Sequence, residues 1–143
     1  MAATTVHISI AVFKGDPVDC QRYRHTSLFV TFANQDPAVV IHVVGPPGEF
    51  EFDTQDGYDP SRDQSLAKLV DVGTLSVQAS RAQVIEILRT VSIENQDREF
   101  NCQSWVEAAL KKLRDSGMLT SALYAHGVDE MVDVIAEATD EEY

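Results

Sequence analysis

The sequence predicts an α+β domain: an antiparallel sheet of about four to six strands packed against a helix that opens on a cysteine. Three observations lead there. Short runs rich in Val, Ile and Phe are separated by Gly, Pro, Asn and Asp turn signals, as in antiparallel strands. Residues 102–116 carry an apolar stripe at helical spacing, between a good N-cap and a following glycine. The chain has 143 residues, 44% of them hydrophobic, enough for one ordinary core. Residues 1–143 therefore read as a single domain.

Val6–Phe13 reads as the first strand. Lys14-Gly15-Asp16-Pro17 ends it and opens a loop through about Arg22. Residues 25–32 read as the second strand. Alternation puts His25, Ser27, Phe29 and Thr31 on one face and Thr26, Leu28, Val30 and Phe32 on the other. Asn34-Gln35-Asp36-Pro37 is a turn, and Val39–Val44 is a third strand whose Val40, His42 and Val44 share a face. Gly45-Pro46-Pro47-Gly48 stops it. Residues 49–53 form a short fourth strand, which makes the first part a meander. Residues 55–65 are polar and read as a long loop. Residues 66–77 are rich in Leu and Val and read as a strand with a bulge or bend at Gly73.

Ser80 is an N-cap for a helix from Arg81 to about Val91, with Val84, Ile85 and Leu88 on one face. Residues 94–99 are a polar connector. Asn101 caps the strongest helix in the chain, residues 102–116. Trp105, Val106, Ala109, Leu110 and Leu113 form its apolar stripe. Glu107 and Lys111 are an i,i+4 pair on its wet side, and Gly117 takes the left-handed position after its end. A short helical piece at 121–125 and a last helix at 129–138 follow.

The chain has 11 basic and 23 acidic side chains, a net charge of −12. Eight of the acids lie in residues 115–143, which contain no Lys or Arg. The C-terminal helix and tail from about 115 are therefore strongly acidic, and the rest is nearly neutral. This balance argues against a nucleic-acid partner, which needs clustered Lys and Arg. It also argues against docking on an anionic membrane. No window approaches the roughly 18–20 apolar residues of a membrane span. The N-terminus lacks the pattern of a secretory signal. A cytoplasmic protein is the expectation. Cys20 and Cys102 are then free thiols. Neither lies in a CxxC or Cys/His cluster, so no metal is expected, and no organic cofactor is implied.

Cys102 is the residue most suited to chemistry. It sits in the first turn of its helix, where free N–H groups and the positive end of the dipole favour a thiolate. The backbone N–H groups of Cys102 and Gln103 could hold an oxyanion on an attacked carbonyl. A nucleophilic thiol also needs a base and a group that orients the base. His25 and His42, on consecutive predicted strands, suit those roles. Tyr23 is a candidate to bring a hydroxyl to the site. His7 and His126 read as surface or structural residues, and Cys20 as a spectator. The plainer readings are a small buried hydrophobe for Cys102, a core histidine for His42 and core filler for Trp105.

The order of these residues resembles the circularly permuted papain-like families. The motifs are His25-Thr-Ser-Leu-Phe-Val, then Val39-Val-Ile-His42-Val, then Asn101-Cys-Gln-Ser-Trp-Val106. They are most similar to those of the lecithin–retinol acyltransferase-like proteins. The PPPDE peptidases and the wider NlpC-type superfamily share the permuted layout. The resemblance spans residues 22–113. It implies a sheet bearing the histidines against the cysteine helix, with Cys102 as nucleophile, His25 as general base and His42 orienting His25. The implied activity is thiol-dependent acyl hydrolysis, acyl transfer or (iso)peptidase action on an ester, thioester or amide. The substrate would be a small acyl molecule or a peptide or protein. The alternative is a non-catalytic binding or interaction module of the same fold.

Overall fold

The structure is a computed structural model in which residues 2–140 are described. Five strands form one sheet: β1 (Val6–Phe13), β2 (His25–Phe32), β3 (Val39–Val44), β4 (Glu51–Asp56) and β5 (Leu66–Thr74). Their order is β4-β3-β2-β1-β5, and every pairing is antiparallel. Three helices follow: α1 (Arg81–Arg89), α2 (Cys102–Asp115) and α3 (Ser121–Ala136). The protein is thus α+β, as expected. The first four strands form the expected meander. β5 then crosses to the other side and pairs with β1, so β1 lies inside the sheet.

One face of the sheet supplies the core. Val6, Ile8, Ile10 and Val12 of β1 share it with Leu28, Val30, Ile41 and Val43, and all join one apolar cluster with the helices. These are alternate residues of each strand, as a half-covered sheet requires. α2 packs on β2 and β3, while α3 packs on β5 and β1. Trp105, Val106, Ala109, Leu110 and Leu113 of α2 are all fully buried. Burying each of the larger ones is worth about 1.5–3 kcal/mol. The expected stripe therefore holds this helix on the sheet. Its cap also forms: Asn101 Oδ1 accepts from the N–H groups of Gln103 (2.9 Å) and Ser104 (3.1 Å). Gly117 follows the helix at φ 77°. α1 is closed by a reciprocal capping box between Ser80 and Gln83.

The structure redraws three elements. β4 begins at Glu51 and runs to Asp56, because Val44 pairs with Glu51 and Val39 with Asp56. β5 stops at Thr74. The chain then turns so that Ser76 bonds the backbone carbonyls of Met118 and Gly117. The bulge is where the glycine predicts it: Ile8 pairs with Gly73 and Ser9 with Asp71, leaving Val72 as the extra residue. Finally, residues 121–136 are one helix rather than two pieces.

Gly127 lies inside that helix for a packing reason. A Cβ there would lie 3.0 Å from Val72 Cγ2 on β5. Reciprocally, a Cβ on Gly73 would lie 2.7 Å from Leu123 Cδ1 of α3. Two absent side chains let helix and strand close on each other.

Beyond α3, Asp19 N–H donates to Asp140 Oδ2 (2.8 Å) and Asp140 N–H donates to Asp19 O (3.0 Å). Asp140, just beyond α3, is thereby tied to the loop before β2. Asp129 and Asp133 are exposed on the acidic helix, and the last expected acids, Glu141 and Glu142, lie outside the described residues. Among the described residues, no helix is long and apolar enough to cross a membrane.

Candidate active site

The β2–β3 ladder pairs Leu28 with Ile41, Phe29 with Val40 and Val30 with Val39. His25 and His42 lie beyond its open end, on the face away from the core. There the structure joins them: His25 Nε2 and His42 Nδ1 are 2.9 Å apart. The next strand adds a residue that sequence reasoning did not single out. Asp53 of β4 sits directly opposite His42 in the ladder, and its Oδ2 lies 3.0 Å from His42 Nε2. Read from the sequence, Asp53 only ended a short strand. The longer β4 makes it a member of the site.

This geometry fixes the direction of the protons. The Asp53 carboxylate can only accept, so His42 Nε2–H donates to it. His42 Nδ1 then carries the lone pair and accepts from His25 Nε2–H. The remaining nitrogen of His25, Nδ1, is left with its lone pair, the form a general base needs. Phe13 stacks on the His25 ring with centroids 6.1 Å apart and helps hold its plane.

Cys102 is half-buried at the start of α2. Its Sγ lies 3.9 Å from the carbonyl oxygen of Arg24, the residue before His25. His25 and Cys102 line one cavity of about 620 Å³, together with Tyr23, Phe50, Arg98 and Asn101. The structure thus brings the three predicted residues to one end of the sheet. It joins His25 to His42 directly, and no hydrogen bond joins His25 to Cys102. A second cavity, of about 310 Å³, reaches His25 and His42 from the helix-free face, past Phe13, Ser27 and Tyr58.

Burial sets the charge state of both groups. Desolvation first, and the neighbouring His42 second, lower the His25 pKa to about 4. Desolvation pushes the Cys102 thiol up, against the smaller downward pull of N–H and O–H groups around the sulfur. The expectation that the helix start would favour a thiolate is corrected here: the dipole effect is present and burial outweighs it. At neutral pH the resting pair is thiol and neutral imidazole.

The depressed His25 pKa makes an acid-stability prediction. The unfolded chain protonates this histidine near its ordinary 6.5 and the folded chain only near 4. Folding stability should therefore fall as pH drops through that window and be indifferent to this group above it. The loss reaches about 3 kcal/mol by pH 4. Urea unfolding of the parent and His25→Gln between those pH values checks it; an equal pH slope in both proteins would refute it.

The expected oxyanion pair is reduced to one donor. The Gln103 N–H is already taken by the Asn101 cap, whereas the Cys102 N–H makes no hydrogen bond among the described residues. The Gln103 side chain instead donates to the carbonyls of Gln21 (2.9 Å) and Arg24 (3.1 Å). Tyr23 precedes β2. It closes a 3-10 turn, Gln21–Tyr23, and is exposed at the cavity edge.

Both cysteines are free, and Cys20 is buried. His7 bonds Asp71 (2.7 Å) and Thr74 (3.3 Å) on the open face, and His126 is exposed. Trp105 is core, set edge-on to Phe52 at 5.9 Å. Among the described residues, no group of three or more His, Cys, Asp or Glu is placed to hold a metal ion.

Arg24 is a second residue of consequence that the sequence did not flag. It is buried, and its guanidinium donates to both Asp19 oxygens (2.8 Å each) and to the Val134 carbonyl of α3 (2.7 Å). Its own carbonyl faces Cys102 and Gln103. One residue therefore links the end of α3 to the mouth of the site.

Comparison with curated proteins and with solved structures gives no match. A match to a protein family covers residues 16–120, which include every residue of the Cys102, His25, His42 and Asp53 constellation. The chain belongs to that family, a family of unknown function (DUF6540).

Proposed function

We propose that the protein is a thiol-dependent acyl hydrolase or acyltransferase of the permuted papain-like type, acting on an ester, thioester or amide. The observation that carries this reading is the Asp53–His42–His25 chain, which leaves His25 Nδ1 as a lone-pair base beside the cavity that also holds Cys102. A buried histidine pair with only a packing role has no need of an acid behind it, nor of a cysteine sharing its cavity. A cytoplasmic setting, where both cysteines stay reduced, suits such chemistry.

His25 Nδ1 takes the proton of Cys102, and the sulfur attacks the carbonyl carbon. The Cys102 N–H donates to the oxyanion. The imidazolium formed on His25 is stabilised through His42 by the Asp53 charge, in the manner of a nucleophile, base and orienting group. His25 then gives its proton to the leaving group. Water or a second nucleophile, deprotonated by His25, attacks the acyl-thioester and frees Cys102. Substrate binding must close the gap between His25 and Cys102, which apo sites of this kind often show.

The test is alkylation by iodoacetamide at about pH 6–7, with the adduct mapped by mass spectrometry. Cys102 should react selectively over Cys20, and His25→Ala should slow it about tenfold or more. The reading fails if Cys102 reacts no faster than Cys20, or only on unfolding.

A non-catalytic binding module is the second reading. It is favoured by the missing His25–Cys102 hydrogen bond and by the upward push on the thiol. In that case the same cavity receives a ligand or a protein segment, and the alkylation rate is indifferent to His25.

A further inference from the structure

We propose that the buried hydroxyl of Thr26 is a built-in donor to the Cys102 thiolate, idle in the resting thiol and engaged when the sulfur ionises. The proposal rests on the thiol reading above and adds a fourth side chain to it.

Thr26 is the second residue of β2. Alternation turns it to the helix face, opposite to His25, and it is fully buried. Its Oγ1 has no hydrogen-bond partner among the described residues. Native proteins seldom leave a buried hydroxyl unpaired, so each such group needs a reason. α2 begins directly over this point. Cys102 Sγ lies 3.9 Å from the Arg24 carbonyl two residues upstream, and the Thr26 hydroxyl and N–H both act to favour a negative charge on that sulfur. The hydroxyl contact falls short of a formed hydrogen bond to the thiol.

That difference is the core of the inference. A neutral thiol is a poor acceptor, and a thiolate is a strong one. The hydroxyl therefore gains most of its interaction only after the proton has left for His25. A contact stronger in the charged state than at rest lowers the barrier to reaching that state. It also offsets the burial that disfavours the ionised sulfur. Valine would fill the same strand position with the same branched shape and leave no orphan hydroxyl. Packing alone therefore gives no reason for threonine here. Ser27, the neighbouring buried hydroxyl without a partner, faces the second cavity and cannot serve the sulfur.

The experiment measures the rate of Cys102 alkylation by iodoacetamide from about pH 5.5 to 10, in the parent, Thr26→Val and Thr26→Ser. In this reaction the S–C bond forms as the C–I bond breaks and iodide leaves, so the rate follows the ionised fraction of the sulfur. Besides Cys102, the charged or titratable groups that share the cavity are Arg22, Tyr23, Arg24, His25, Arg98 and Glu99, and all are retained in each variant. Thr26→Val should slow alkylation at pH 7 about tenfold and move the midpoint about one pH unit upward. Thr26→Ser should stay within about twofold of the parent. Thr26→Ala removes the same hydroxyl without bulk and must show the same upward displacement, even if valine repacks the strand.

A hydroxyl with only a structural role would alter the melting temperature and leave the midpoint in place. That result in Thr26→Val and Thr26→Ala overturns the proposal. The readout needs ionisation, not turnover. A parent profile that ignores His25 would therefore sink the acyl-transfer reading and still leave the Thr26 comparison decisive.

Discussion

Replacing Cys102 by serine is expected to lower acyl turnover at least about a thousandfold while leaving the protein folded. The proposed chemistry leans on a base that burial has made weak, with a pKa of about 4. A thiol is acidic enough to yield its proton to such a base when the Asp53 charge, acting through His42, stabilises the imidazolium that forms. A serine hydroxyl is several orders of magnitude less acidic. The exchange should spare the fold, because α2 is held by the Asn101 cap and the fully buried Trp105, Leu110 and Leu113 rather than by the sulfur. The assay is hydrolysis of an activated ester and of a thioester, with melting temperature as the control. Turnover within tenfold of the parent, in a folded variant, would remove Cys102 from the mechanism.

The second large effect is expected at Arg24. Substituting methionine should cost about 2–3 kcal/mol, because it strands the buried Val134 carbonyl and a part-buried carboxylate that the guanidinium now pairs. The Asp19 carboxylate would keep only the Gly15 N–H, at 3.0 Å, among its present donors. The hydrogen bond from Arg24 is the main reason that the Asp19 pKa lies near 2 instead of 3.8. A depressed carboxylate adds stability above its ordinary pKa and loses it as pH falls through the depressed one. The parent should therefore shed this contribution between about pH 4 and 2, and Arg24→Met should lack that step. Urea titrations at neutral and acid pH measure both. A neutral-pH change below about 1 kcal/mol would show that the pair is no more than a surface ion pair. Because the Arg24 carbonyl faces Cys102 and Gln103, the same variant should also disturb alkylation of Cys102.

The parts of the molecule that were legible in the sequence are those encoded locally. β2 and β3 run between the residues that the turn signals and the alternation marked. The start of α2 is set by its Asn101 cap. Those two facts put His25 and His42 on neighbouring strands and Cys102 at a helix start, whereas the 2.9 Å contact of the two imidazoles also needs the register of β3 on β2. What escaped is set at a distance. Asp53 becomes a partner of His42 only through the register of β4 on β3, and register is a property of two strands together. The return of β5 to β1 has no mark in its own sequence.

Gly127 has the weakest helix propensity of the residues around it and reads as a break. Contact with Val72 makes its missing side chain an asset. The thiol shows the same limit. Position in a helix is readable, whereas depth of burial is not, and depth decides the sign of the pKa shift. The Gln103 N–H is different. An asparagine cap announces that the second and third N–H groups of the helix are spoken for, so this correction was within reach of the sequence.

The paired glycines carry one last consequence. Val72 sits in the space at Gly127 and Leu123 in the space at Gly73, so the height at which α3 rides on the sheet is gauged by two missing methyl groups. The same helix presents the Val134 carbonyl to Arg24, one residue ahead of His25. The seat of the last helix and the first residue of the histidine strand thus share a single mechanical datum, as two instruments bolted to one bench do.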